Sequence, residues 1–397
     1  MRGFFNPAVL TAAVPPGLLP KCGKCGLFRG CLSPKMDVIG EGRKRILVVG
    51  EAPDKAADEQ GHFFVGKDGR LLRDELGRFD VDLERDCWIT SALICRPPGN
   101  RTPTDKEVGY CRPNLVNAVR HLNPEKILLL GAAAVRSLFG WLWRPDVGAI
   151  GRWVGFRVPL RRPNAWACPL WHPSFLDRAQ KMPDGPVVML WFRRWLAAAL
   201  ALPGRPWESL PEYPVDCEMD ADAAADKLAA FADSPAVAFD FETDRIKPDH
   251  PDSRLVCASV SDGARTLAFP LVGPAAPALR ALLRAPVPKV GWNIKFEERW
   301  ARRHLGTRVR NWKWDGMLAA HVLDNRPRIT GLKFQAFVQL GQPPWDAAVA
   351  GSLTGDGESE VNRVGSARIA DLLKYCGLDS ALEFHVAKAQ RKAMRGA

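Results

Sequence analysis

The stretch Ala236-Val-Ala-Phe-Asp-Phe-Glu-Thr-Asp244 constrains this chain more than any other. Val237, Phe239 and Phe241 alternate with small or acidic residues, the period-two pattern of a half-buried strand. Asp240 and Glu242 lie two apart, so both carboxylates leave the strand on one face. Two acids on one face of an apolar strand repel and resist burial unless a cation neutralises them. Their hard oxygens suit Mg²⁺ or Mn²⁺. The plainer alternative is an edge strand with two solvated acids, and pieces farther along the chain bear on the choice.

A chain of 397 residues with 47% hydrophobic content can build two cores. The net charge is +12, and it is unevenly placed. Residues 1–200 carry 30 Lys and Arg against 19 Asp and Glu, whereas residues 201–397 carry 26 against 25. A basic excess confined to one half points to a polyanionic partner, most often nucleic acid. Residues 1–20 are apolar, but Pro7, Pro15 and Pro16 interrupt any signal helix. No uninterrupted apolar run reaches the length of a membrane span. The expected location is therefore the cytoplasm. There, clustered cysteines bind metal rather than form disulfides.

Cys22-Gly-Lys-Cys25 is a Cys-x-x-Cys knuckle, and Cys95 and Cys111 lie far downstream. Four thiolates hold either a zinc ion or an iron–sulfur cluster, and spacing alone leaves both open. Cys31 and Cys87 are spare candidates, Cys87 equally a core residue at the start of a strand. Arg45–Gly50 and Lys126–Gly131 read as buried parallel strands, and helices are expected around Arg70–Leu76, Ala132–Leu138 and Val187–Leu200. Alternating strands and helices predict a three-layer α/β domain. The turn Glu51-Ala-Pro-Asp54 follows the first strand, at the end where such folds place their sites.

Gly50-Glu-Ala-Pro53, Phe64-Val-Gly66, Cys95-Arg-Pro-Pro-Gly-Asn-Arg101 and His172-Pro-Ser174 occur in the order found in family 4 uracil-DNA glycosylases, which residues 18–200 resemble. The resemblance implies a 4Fe–4S cluster on Cys22, Cys25, Cys95 and Cys111. It also implies that Glu51 positions water at the glycosidic bond, Phe64 stacks on a flipped base, and His172 stabilises the leaving base. Ser91 stands where the family carries an Asn that reads the base edge, and Asp54 stands where it commonly carries Gly.

Residues 203–216, rich in proline, read as a linker between a domain at 1–202 and another at 217–397. Beyond it, a helix is expected over Asp220–Phe231, then a meander of strands at 236–244, Leu255–Ser261 and Thr266–Pro270. Lys289–Asn293 reads as a strand entering a helix at Ile294–Arg303, and Trp314–Asp324 reads as a helix with Leu318, Val322 and Leu323 near core spacing. Gly351–Asn362 reads as a mobile polar loop. In the last helix Tyr375 and Asp379 share one face.

Asp240-Phe-Glu-Thr243, Asn293-Ile-Lys-Phe-Glu297 and Tyr375-x-x-x-Asp379 resemble the three motifs of DEDDy 3′–5′ exonucleases, specifically the proofreading domain of family A DNA polymerases. The resemblance covers about residues 217–395 and implies a ribonuclease H-like α/β domain holding two Mg²⁺ or Mn²⁺ ions. Asp240, Glu242 and Asp379 would hold the nucleophile-side ion, Glu297 would reach the second through water, and Tyr375 would orient the attacking water. Glu297 stands where the family carries Asp. Asp315 is a substitute ligand or, alternatively, a helix N-terminal acid. The chain thus reads as a DNA-processing enzyme that trims 3′ ends and excises or senses uracil or a modified base, with a separate polymerase as partner. The alternative is an inactive first half that grips DNA or tethers the exonuclease to a replisome.

Overall fold

The computed structural model describes residues 19–353 and 361–395. The reading of Pro7, Pro15 and Pro16, and most of the expected loop at 351–362, lie outside the described residues. The chain divides into two compact units, one ending at Glu208 and the other beginning at Ser209. No helix among the described residues is long and apolar enough to cross a membrane.

The first unit runs α1 (Cys22–Cys25), β1 (Ile46–Gly50), α2 (Lys55–Gln60), α3 (Lys67–Gly77), β2 (Cys87–Ser91), α4 (Asp105–Leu122), β3 (Lys126–Leu130), α5 (Ala132–Leu142), β4 (Val158–Leu160), β5 (Ala165–Leu170), α6 (Pro173–Ala179) and α7 (Gly185–Leu200). Its sheet has the order β2-β1-β3-β5-β4, all parallel except the antiparallel edge strand β4. Both faces are buried, so the strands are continuous apolar runs rather than alternating ones. Ile46, Val48, Leu128 and Leu130 point to one face, where Leu72 and Leu76 of α3 and Phe192 and Leu196 of α7 join them in one core. Leu47, Val49, Ile127 and Leu129 are equally buried on the opposite face.

Helix α4, which carries Cys111, is the long element that the sequence reading leaves out. Gly109, Pro113 and Asn114 weaken its helical pattern. A capping box starts it all the same: Thr104 accepts from the Glu107 N–H, and the Glu107 carboxylate accepts from the Thr104 N–H.

The second unit runs β6 (Asp216–Cys217), α8 (Ala221–Ala229), β7 (Val237–Thr243), β8 (Leu255–Ser261), β9 (Thr266–Pro270), α9 (Ala275–Arg284), β10 (Lys289–Gly291), α10 (Lys295–His304), β11 (Trp312–Asp315), α11 (Gly316–Leu323), α12 (Leu332–Leu340), α13 (Ala350–Leu353) and α14 (Ile369–Arg395). Its sheet has the order β11-β10-β7-β8-β9-β6, a β7-β8-β9 antiparallel meander extended by parallel pairs on both sides. Strand β7 is therefore interior, and the solvated edge-strand alternative for Asp240 and Glu242 falls away.

Three local expectations are corrected. Trp314 and Asp315 end strand β11 instead of opening a helix. Leu318 and Val322 are 51% and 75% exposed rather than core, and Leu323 is exposed too. Helix α11 instead buries its small face of Gly316, Ala319 and Ala320, because Trp292 lies where a Cβ on Gly316 would be, at 2.3 Å. Residues Ala350–Leu353, at the start of the expected loop, are helical.

Part of the proline-rich joint is also fastened. Arg205 donates to the carbonyls of Asn123 and Asn164, and Trp207 Nε1 donates to Pro159 O at 3.0 Å. Proline here stiffens a strap against the first unit instead of marking a free tether.

Candidate active sites

The carboxyl ends of β1, β2 and β5 deliver Glu51, Ser91 and His172 to one edge of the first sheet. Phe64, Ser91 and His172 line one pocket of about 40 Å³ together with Asp54, Asp68 and the 52–53 turn. The Phe64 and His172 rings are stacked, with centroids 6.2 Å apart and planes 30° apart. Phe64 holds a left-handed backbone, φ 55°, secured by Arg73 Nη1 donating to its carbonyl at 2.8 Å. A Cβ on Gly50 would lie 2.9 Å from the Phe64 ring and 2.8 Å from Ser91 Oγ, so only glycine leaves room for both.

Glu51 is held beside this pocket, its Oε1 accepting from the Ala133 N–H at the start of α5, 3.0 Å away. Gly131 makes that approach possible. It adopts φ +95°, and a Cβ there would lie 2.6 Å from Glu51 Cδ. Gly131→Ala is expected to cost about 2–4 kcal/mol, backbone strain and overpacking together, read as a lower urea midpoint.

His172 caps α6, with Nδ1 accepting from the Ser174 N–H at 3.2 Å. In the neutral ring this places the proton on Nε2. Burial lowers the His172 pKa, against the opposing pull of Glu51 and Asp68. Asp54, the residue at the family's glycine position, caps α2 through Ala57 N–H at 2.8 Å. Asp68 is a pocket acid that sequence reading misses. Its carboxyl is raised by burial and by Asp54 and Asp177, opposed by His172. Its only sequence signal is an acid in the first turn after Phe64-Val-Gly66.

Cys22, Cys25, Cys95 and Cys111 converge from α1, the loop after β2 and α4. They line one cavity of about 20 Å³ with Leu27, Phe28, Leu93, Ile94 and Tyr110. Among the described residues no three of these sulfurs lie within 4.8 Å of one another. A single tetrahedral zinc, at a Zn–S distance of about 2.3 Å, would hold its sulfurs about 3.8 Å apart. Burial pushes the Cys95 thiol up to about 12, so a cationic centre is needed to draw a thiolate there. Lys35 N–H donates to Cys95 Sγ and Asn114 Nδ2 to Cys111 Sγ, each at 3.3 Å. Cys31 and Cys87 do not line the cavity. Cys31 Sγ faces the carbonyls of Leu27 and Arg96, and Cys87 is core.

In the second unit, β7 presents Asp240 and Glu242 to α14, which carries Tyr375 and Asp379. Ser259 Oγ fastens that helix to β8 by donating to Cys376 O at 2.7 Å. Ligand atoms of Asp240, Glu242 and Cys376 lie within 4.8 Å of one another. Cys376 escaped the sequence reading because a cysteine inside a helix carries no motif of its own. Trp345 Nε1 donates to Asp379 Oδ1 at 2.9 Å. Lys333 of α12, also missed, donates to Tyr375 Oη at 2.7 Å and stands 3.8 Å from Asp379 Oδ1.

Glu297 sits in the first turn of α10, 3% exposed. Asp315 is the helix N-terminal acid, accepting from the N–H groups of Asn293, Ile294, Met317 and Leu318. Those four bonds satisfy it without a cation. Burial first, and then mutual repulsion, holds the carboxyls of Asp240, Glu242 and Glu297 well above their ordinary range. Asp379 is raised by burial too, against the pull of Lys333.

Residues 37–195 match the uracil DNA glycosylase superfamily. A type-4 uracil-DNA glycosylase of Pyrobaculum aerophilum is 35% identical over 171 residues, covering 41% of this chain and 82% of that protein. The chain belongs to the uracil-DNA glycosylase superfamily. A second type-4 member, from Thermotoga maritima, is 35% identical over 165 residues, 40% of this chain and 79% of its own length. Joined to this glycosylase-superfamily domain is a 3′–5′ exonuclease domain, matched over residues 214–348. That match stops short of Tyr375 and Asp379, which enter the site through the packing of α14. A DNA polymerase of Bacillus phage SP01 is 24% identical over 361 residues. The alignment spans both domains, 81% of this chain but 37% of the polymerase.

The acid cluster makes a pH prediction. In the unfolded chain these carboxyls ionise near pH 4, whereas the metal-free fold keeps them protonated to higher pH. Their contribution to stability is fully present below about pH 4 and is lost as pH rises through the raised folded values. In EDTA the second unit should therefore melt at lower temperature at pH 8 than at pH 6. Mn²⁺ should remove that slope, as thermal scans will test.

Proposed function

We propose that this protein degrades DNA from 3′ ends with its second unit and removes uracil or a related base with its first. The observation that carries the exonuclease reading is the convergence of Asp240 and Glu242 from β7 with Tyr375 and Asp379 from α14. Oxygen donors crowded at this burial suit Mg²⁺ or Mn²⁺. Two such ions supply an activated water and charge stabilisation for the departing 3′ oxygen. Asp240, Glu242 and Asp379 bind on the nucleophile side, and Tyr375 orients the attacking water. Lys333 holds the Tyr375 hydroxyl and offsets part of the acid charge. The substrate is DNA, and a DNA polymerase would be the natural source of its 3′ ends.

In the first unit, Phe64 stacks on the extruded base, Ser91 meets its edge and Glu51 positions water. His172 donates from neutral Nε2 to the negative charge growing on the leaving base. The four cysteines hold a 4Fe–4S cluster, a reading supported by the convergence of four thiols from three segments on one apolar cavity. Bound there, the cluster would tie α1, the loop after β2 and α4 together.

A second reading, in which the first unit senses a base without cutting, draws support from Asp54 and Asp68 in the pocket. Two carboxylates there disfavour a polyanionic strand. One assay separates the readings: base release from a uracil-containing, end-labelled single strand in EDTA, followed by alkali. A discrete alkali-dependent band is expected, and His172→Ala should reduce it at least about 100-fold. No band, beside Mg²⁺-dependent degradation in a parallel lane, leaves the sensing reading standing.

A further inference from the structure

A groove of about 460 Å³ opens at the edge of the second sheet, away from the acid site. Lys313 and Trp314 of β11 line it with Arg391 and Arg395 of α14, and Pro235 and Pro288, just before β7 and β10, complete its wall. The groove lies where β7 begins, whereas Asp240 and Glu242 sit toward the strand's other end. Along α14, Arg391 is twelve residues beyond Asp379, about 18 Å of helix.

Among the described residues no acid lines this groove, and none of Lys313, Arg391 and Arg395 is in an ion pair. A second groove in the same unit, of about 370 Å³, shows the contrast. It also holds two cations, but Lys227 is paired with Asp216 at 2.7 Å and Glu218 at 2.8 Å, and Arg265 with Asp262 at 2.7 Å. Unpaired like charges in one concavity repel one another and focus a positive potential. An anion that spans them removes the repulsion.

The aromatic floor of the groove is held in place. Trp314 Nε1 donates to Oε1 of the buried Gln390 at 2.9 Å, and Gln390 Nε2 donates to Gly316 O at 2.8 Å. Arg391 lies over the indole, its Cζ 4.9 Å from the ring centroid. Stacking orders the guanidinium and leaves its N–H edge open, and a planar fork of N–H donors matches a phosphate. Several cations along one groove, one of them ordered against an aromatic surface, fit a chain of phosphates better than a single small anion.

We propose that this groove is a second DNA-contact site, in which Lys313, Arg391 and Arg395 hold the phosphates of a single strand whose 3′ end lies in the acid site. The placing of the 3′ end rests on the exonuclease reading; the phosphate contacts do not. The groove then grips the strand several nucleotides back from the bond being cut and keeps it from leaving between cuts.

The test compares the full chain with its Lys313→Gln/Arg391→Gln/Arg395→Gln variant. On a uracil-free strand of about 16 nucleotides in Mg²⁺, the variant should raise KM by about 10-fold or more with kcat little changed. A trinucleotide, about 10 Å long at about 3.4 Å per step, falls short of the groove, and its KM should stay the same. The slope of log KM against log salt for the long strand should fall by about 2, three contacts at about 0.7 each. Anisotropy of the same strand, labelled, in EDTA should show the same loss of affinity and the same change of slope. If the triple variant does not fold, Lys313→Gln/Arg395→Gln leaves Arg391 on Trp314 and should lower the slope by about 1.4. An equal loss on the trinucleotide would place the effect in the acid site and refute the groove, as would an unchanged KM and anisotropy on the long strand. A wild-type chain that degrades no strand in Mg²⁺ would overturn the exonuclease reading instead, and the anisotropy then decides the phosphate contacts alone.

Discussion

Asp240→Asn is expected to lower Mg²⁺-dependent degradation of a 3′-labelled strand by about 10³-fold or more, equivalent to about 4 kcal/mol of transition-state stabilisation. Asp240 stands at the centre of the acid cluster: Glu242, Glu297, Glu383 and Tyr375 all feel its charge. The same substitution should raise the melting temperature in EDTA, because it removes a buried charge that repels its neighbours. Loss of activity with gain of metal-free stability is a signature that misfolding does not imitate. A variant that keeps full activity, or loses activity together with its fold, would count against the assignment.

Cys95→Ala should be the most damaging change in the first unit. Cys95 brings the loop after β2 to the cavity it shares with α1 and α4, inside a small apolar cluster that a bound centre would hold together. Purified anaerobically, the wild-type chain should be brown and carry four irons. The variant should be colourless and should melt lower by about 10 °C or more, given a loss of several kcal/mol in a unit of this size. Iron and zinc analysis of the wild type decides the centre: one zinc and no iron would overturn the cluster. Cys31→Ala should leave colour and iron content unchanged, since Cys31 Sγ, though beside Cys95, faces the carbonyls of Leu27 and Arg96.

The motif residues were legible because their chemistry repeats locally. Asp240 and Glu242 share a strand face, Tyr375 and Asp379 share a helix face, and Cys22 and Cys25 form a knuckle, all readable from spacing. Glu51 and His172 were placed by the resemblance of Gly50-Glu-Ala-Pro53 and His172-Pro-Ser174 to family 4 uracil-DNA glycosylases, and each does follow a buried strand. Lys333, Cys376 and Asp68 could not be placed. Each is a common residue inside a helix, and its meaning comes from what another element places opposite it. Leu318 and Val322 failed for the converse reason. Their spacing suits a core, but the partner surface admits only the glycine and alanines of α11.

The sequence by itself determined the two α/β units, the order of their strands along the chain and the identity of the acids and thiols, since periodicity and motif spacing act over a few residues. Only the tertiary structure decided which of those groups meet. It showed that β7 is interior, that four sulfurs from three segments border one cavity, and that Asp315 is spent on backbone amides. Glu383 of α14 is left with a buried orphan oxygen by the same packing. Burial and the absence of a donor are properties of assembled surfaces, and no window along the chain contains them.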